Sequence, residues 1–109
     1  MKIPFSPPDM TELEALGASE AIRSGWITTG PKTKEFERQI AEYCHVNKAV
    51  CLNSQTACAE MALRLLGIGA ENGGSSFDEV IVPAYTYTAS ASVVCHVGAK
   101  LVLIDSQTD

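Results

Sequence analysis

No apolar run in the sequence approaches ~18 residues, so nothing in it reads as a membrane-spanning helix. Basic runs are missing too. Lysine and arginine total 8 against 13 acidic residues, a net charge of −5, which argues against nucleic acid as a partner. No Cys-x-x-Cys pair occurs among Cys44, Cys51, Cys58 and Cys95, and their spacing fits no common zinc motif. No Gly-x-Gly-x-x-Gly follows a strand-like run, which weakens a dinucleotide-binding reading. There is no internal repeat. The start, Met1-Lys2-Ile3-Pro4-Phe5, is too polar and too broken by proline for an export signal. A cytoplasmic location is therefore expected, with the four cysteines as buried, reduced thiols.

What remains is globular in composition, 46% hydrophobic and 19% charged, in a chain of 109 residues that suits one small domain. Residues 4–8 read as extended. Asp9 or Thr11 can cap a first helix that runs to about Ser24 and stops at Gly25, with Leu13, Leu16 and Ala21 on its apolar face. A loop with Trp26, Gly30 and Pro31 follows. Phe36, Ile40 and Tyr43 then recur at helical spacing over residues 32–45. Three short aliphatic runs, residues 49–52, 79–82 and 101–104, do not alternate, as expected of parallel strands buried on both faces. Helices are expected over residues 56–66 and 87–97, stopped by Gly67 and Gly98, with residues 72–76 as a flexible surface loop. Strand–helix–strand alternation of this kind reads as an α/β fold with right-handed crossovers.

The chemistry concentrates at two turns. The first runs from Ala49 through Asn53, Ser54, Gln55 and Thr56 into a helical pattern. A helix start rich in hydroxyls is a physical anion site, because its first N–H groups are unpaired and the helix dipole favours negative charge. The second is Pro83-Ala84-Tyr85-Thr86-Tyr87-Thr88, where a strand ends among aromatic rings and hydroxyls. A phosphate cradle with an aromatic plate suits a flat ring that carries a phosphate. The plain alternatives are helix capping for Ser54 and Thr56 and core packing for Tyr87. Tyr85 is read as structural, His45 as a helix-terminal cation and His96 as a packing residue. Asp105 follows a strand at its C-terminal end, where ligands of α/β proteins collect.

The blocks Ser24-Gly25-Trp26-Ile27-Thr28-Thr29-Gly30-Pro31, residues 53–66, residues 78–89 and residues 98–105 resemble, in order and spacing, the N-terminal part of the DegT/DnrJ family of sugar aminotransferases. The resemblance implies the N-terminal portion of the large domain of a fold-type I transferase dependent on pyridoxal 5'-phosphate (PLP), three-layer αβα with a mainly parallel sheet. Residues 1–109 would form a partial cofactor-binding domain, and residues 1–31 its N-terminal helix and substrate-side loop. It implies cofactor binding at Ser54, Thr56, Ala57 and Tyr87, and substrate binding at Trp26, Thr28, Thr29 and Gly30. It also implies a cytoplasmic homodimer that aminates a nucleotide-linked keto-sugar for polysaccharide biosynthesis, with an amino acid, glutamate, as donor. Neither a nucleic acid nor a membrane enters as partner, and no metal is involved.

Two features depart from the family. Gln55 stands where relatives have a small residue, and residues 69–77 are longer than the usual link into the second strand. The family's Schiff-base lysine lies downstream of Asp109. The chain is therefore expected to be part of an enzyme and inactive alone, with no catalytic residue of its own. In the family's strand order the run 49–52 does not sit beside 79–82, so these two are expected to stay unpaired, with sheet edges left for another chain. A PLP-dependent sugar dehydratase on the same scaffold and a non-catalytic oligomerisation or regulatory module are the alternatives.

Overall fold

The computed structural model describes residues 6–105 and 107. The expected extension at residues 4 and 5 lies outside them. The chain divides into two compact units, residues 1–51 and residues 52–109, each with its own internal contacts. No helix among the described residues is long and apolar enough to cross a membrane.

In the first unit, helix α1 (Glu12–Arg23) opens on Thr11, not Asp9. The Thr11 hydroxyl accepts from the Leu13 N–H at 3.2 Å, and the Glu14 carboxylate accepts from the Thr11 N–H at 2.6 Å. This reciprocal capping box satisfies two orphan donors of the first turn. Hydrogen bonds from the Thr11 side chain and backbone hold the Glu14 carboxyl below its ordinary pKa. Helix α2 (Pro31–Tyr43) starts with proline at its first position, where no N–H is needed. Arg38 bridges Glu35 and Glu42 on the exposed surface of α2 and pulls Glu35 down to about 2. Exposed pairs of this kind contribute little to stability.

The helical spacing of Phe36, Ile40 and Tyr43 is real, but these side chains and Leu13 and Leu16 are exposed. Ala41 is the one buried hydrophobic residue described in this unit. The expected strand at residues 49–52 does not form. A strand needs a neighbour for its backbone groups, and none is paired with this run among the described residues. Instead the Cys51 N–H donates to the Glu37 carboxylate at 2.8 Å.

The second unit contains α3 (Gln55–Leu65), a 3-10 turn (Ala70–Asn72), β1 (Glu79–Pro83), α4 (Thr88–His96) and β2 (Lys100–Ile104). The strands pair in parallel, from Glu79 opposite Lys100 to Pro83 opposite Ile104. The fold is thus α/β with a parallel sheet. Val82, Val93 and Val94 form its core, and Ala59 and Leu63 of α3 pack against them with Val80, Ala99 and Leu101. Burial on β1 is one-sided, contrary to expectation: Val82 is buried while Ile81 is 64% exposed. A strand buried on both faces needs a layer on each side, and α4 supplies one.

The ends of α3 and α4 share a motif. Gly67 and Gly98 have φ of 73° and 72° and donate to the Arg64 and Cys95 carbonyls, while Ile68 and Ala99 reach back to Leu63 and Val94. These bonds close orphan carbonyls in the left-handed arrangement that glycine adopts without strain. The segment expected to be flexible at residues 72–76 is organised. Asp78 accepts from the Gly69 N–H at 2.9 Å and the Ser75 N–H at 2.8 Å, and the Asn72 amide donates to the Ile68 and Val97 carbonyls. The cysteines are free thiols, as expected, but Cys44, Cys58 and Cys95 are exposed and Cys51 is half-buried. Cys58 and Cys95 each adjoin a core-facing residue, Ala59 and Val94, and a helix turns its next side chain about 100° away.

Candidate functional site

Ser54 is the N-cap of α3, in extended backbone with φ −161°. Its hydroxyl accepts from the Ala57 N–H at 3.1 Å, and its carbonyl accepts the first helical bond, from Cys58, at 3.1 Å. The N–H groups of Gln55 and Thr56 come before any intrahelical acceptor and have no partner among the described residues. The Thr56 hydroxyl is likewise uncommitted among them. The first turn carries no acidic residue, so no carboxylate of its own competes for the positive end of the helix dipole. Two open backbone donors, one hydroxyl and the dipole make a set that fits a phosphate. The side chain of Gln55, which stands where relatives have a small residue, is exposed.

Tyr87 is the N-cap of α4, four residues past the end of β1, and its side chain makes no capping bond. It is 81% exposed, so it is not a core ring. Tyr85, read as structural, is more exposed still. Thr86 and Ser90 hydroxyls lie 3.5 Å apart across this turn. Ser54, Thr56, Ala57 and Tyr87 thus belong to one unit, at the starts of two helices that pack on each other.

The other four predicted residues lie in the first unit. Trp26, Thr28 and Gly30 line an apolar groove of about 640 Å³, together with Ala18, Ala21 and Ile22 of α1 and with Lys32. Thr29 does not line it; its carbonyl accepts from the Trp26 indole N–H at 2.9 Å. Ala18, Ala21 and Ile22 were not singled out as site residues, although their helical spacing of three and four places them on one face. Lys32 reaches back to α1, donating to Glu20 at 3.0 Å and to the Gly17 carbonyl at 3.3 Å.

His96 is not the packing residue expected. It is exposed, with Nδ1 3.0 Å from the Glu60 carboxylate, which also takes the Arg64 guanidinium at 2.8 Å. Arg64 first, and His96 second, hold the Glu60 carboxyl below its ordinary value. Asp105 directly follows β2 at its C-terminal end.

The profile of the DegT/DnrJ/EryC1/StrS aminotransferase family matches residues 8–109. The chain belongs to this family. A UDP-4-amino-4-deoxy-L-arabinose–oxoglutarate aminotransferase from Shewanella sediminis is 36% identical over 107 residues, 98% of this chain and 26% of that protein. A protein from Streptococcus pneumoniae assigned as a sugar aminotransferase, solved in its PLP form, is 56% identical with a TM-score of 0.81; all of this chain covers 26% of it. An aminotransferase structure from Psychrobacter cryohalolentis is 36% identical with a TM-score of 0.77, over 95% of this chain and 26% of that one. The chain therefore spans about a quarter of the length of these DegT/DnrJ relatives, and its fold is that of their N-terminal segment.

Proposed function

We propose that the chain is the N-terminal part of the large domain of a PLP-dependent aminotransferase that converts a nucleotide-linked keto-sugar to an amino sugar. Both compact units, including residues 1–31, belong to that domain in this reading. The observation that carries it is the α3 turn, with unpaired N–H groups at Gln55 and Thr56 and no acidic residue in the first turn. Thr56 and Ala57 would hold the cofactor phosphate, Thr56 through its hydroxyl and N–H. Ser54 would keep the turn in shape through its bond to the Ala57 N–H. Tyr87 would lie against the cofactor ring. Trp26, Thr28, Thr29 and Gly30 would form the sugar side. PLP, when bound, supplies an electron sink for carbanion chemistry; the protein supplies orientation and charge.

Glutamate is the proposed donor. The Shewanella relative's name pairs an amino sugar with oxoglutarate, the keto acid that glutamate leaves behind. The protein is proposed to work as a cytoplasmic homodimer, which would also cover the apolar faces left open on each unit.

The test uses the full-length protein. Glutamate-dependent amination of UDP-linked keto-sugars is the expected activity, and its absence across a panel of nucleotide keto-sugars would overturn the reading. Thr56→Val removes a hydrogen bond to a charged group, about 1.5–3 kcal/mol, and should weaken PLP binding by about one to two orders of magnitude. An unchanged dissociation constant, read from cofactor absorbance, would return Thr56 to plain helix structure.

A further inference from the structure

We infer that Trp26 is a positioning residue, an internal clip that shapes the substrate-side loop and spends its only polar group in doing so. Indole has a single donor and no acceptor. In this chain that donor is already bonded to the Thr29 carbonyl at 2.9 Å, three residues along the same loop. The ring then folds over Gly30, which is buried, and a methyl group added at Gly30 would collide with the indole. Gly30 is the N-cap of α2, and its carbonyl takes the first bond of that helix from Lys34 at 3.1 Å. On the other side, the Trp26 N–H donates to the Ser24 hydroxyl at 3.1 Å, and that hydroxyl donates to the Ala21 carbonyl of α1 at 2.7 Å. The indole therefore closes the loop onto the start of α2, while the main-chain N–H of Trp26, through Ser24, holds the loop's other end to α1.

This separates the loop's residues by role. Trp26 offers a ligand its apolar ring but no hydrogen bond. Thr28, on the groove wall, has a hydroxyl without a partner among the described residues. Thr28 is thus the polar contact, and Trp26 sets where that contact stands. The inference rests on the reading of this groove as the sugar side.

The experiment compares Trp26→Phe, which keeps a ring over Gly30 but lacks the donor, with Trp26→Ala in the full-length protein. Loss of one neutral hydrogen bond predicts a rise of about three- to tenfold in KM for the nucleotide keto-sugar in Trp26→Phe. Cofactor affinity, kcat and the KM for glutamate should stay as in the wild type. Amide hydrogen exchange at Lys34, whose N–H bonds the Gly30 carbonyl, should quicken in the same variant. An unchanged sugar KM and unchanged exchange in Trp26→Phe would overturn the inference. So would a parallel loss in sugar, glutamate and PLP binding, which marks general destabilisation. If Trp26→Ala does not fold, Trp26→Phe decides alone. Failure of the underlying reading shows differently, as wild-type protein that turns over no keto-sugar; the clip then has no substrate to position and the inference falls with it.

Discussion

His45 sits in left-handed backbone at φ 54°, one residue past the C-cap of α2. Its N–H donates to Glu42 and that of Val46 to Ala41, the same pair of bonds that Gly67 and Gly98 make at the ends of α3 and α4. A side chain in that region costs about 1 kcal/mol that glycine avoids. His45→Gly should therefore raise stability by up to about 1 kcal/mol in urea unfolding; a loss would mean that the imidazole makes up the strain. Gly30 is the opposite case. Gly30→Ala should displace the indole and destabilise by about 1–3 kcal/mol. This chain has one tryptophan, so a shift in its emission reads the displacement directly. The Ser54 cap was legible beforehand because cap chemistry is local: a hydroxyl followed by an apolar helix restricts where the first N–H groups go. His45 was not, because histidine carries no left-handed signal and only the bonds from Val46 and His45 reveal the position. Tyr87's openness was equally hidden, since composition cannot say which ring finds a core.

Among the elements, the segment between α3 and β1 depends most on one group. Hydrogen bonds from the Ser75 and Gly69 N–H groups hold the Asp78 carboxyl below its ordinary value. A carboxylate lowered in the folded state adds stability that is complete above its unfolded pKa of 3.8 and disappears as pH falls through the folded value. Unfolding measured between pH 5 and pH 2 should show an acid-sensitive step that Asp78→Asn removes, along with some stability at neutral pH. A variant with the same acid profile as the parent would assign that step to other carboxylates. Helices α1 to α4 and strands β1 and β2 were readable within one or two residues, because caps, glycine stops and aliphatic runs act over a single turn. Residues 72–76 were misread as flexible, because the carboxylate that orders them lies after them in the chain. The run 49–52 was misread for a different reason: its aliphatic character is that of a strand, but a ladder needs a second chain segment beside it.

At the scale of the whole molecule, two small units leave many large apolar side chains exposed. Ile81, Leu103 and Ile104 of the sheet are exposed, as are Phe36 and Tyr43 of α2. Open strands and bare apolar stripes invite association. The 109 residues produced alone should bind a hydrophobic dye and sediment above monomer mass, whereas the full-length protein should bind little dye; a dye-silent monomer would contradict this. The pairing of β1 with β2 also matters in time. Strands β1 and β2 and helix α4 pack on one another and α4 packs on α3, all within the second unit, so on the ribosome this unit can close as soon as β2 has emerged. The run 49–52 leaves the tunnel earlier and pairs with no strand among the described residues. During synthesis this unpaired aliphatic run would emerge before the sheet closes, and for that interval it is a natural target for a chaperone that holds extended aliphatic segments.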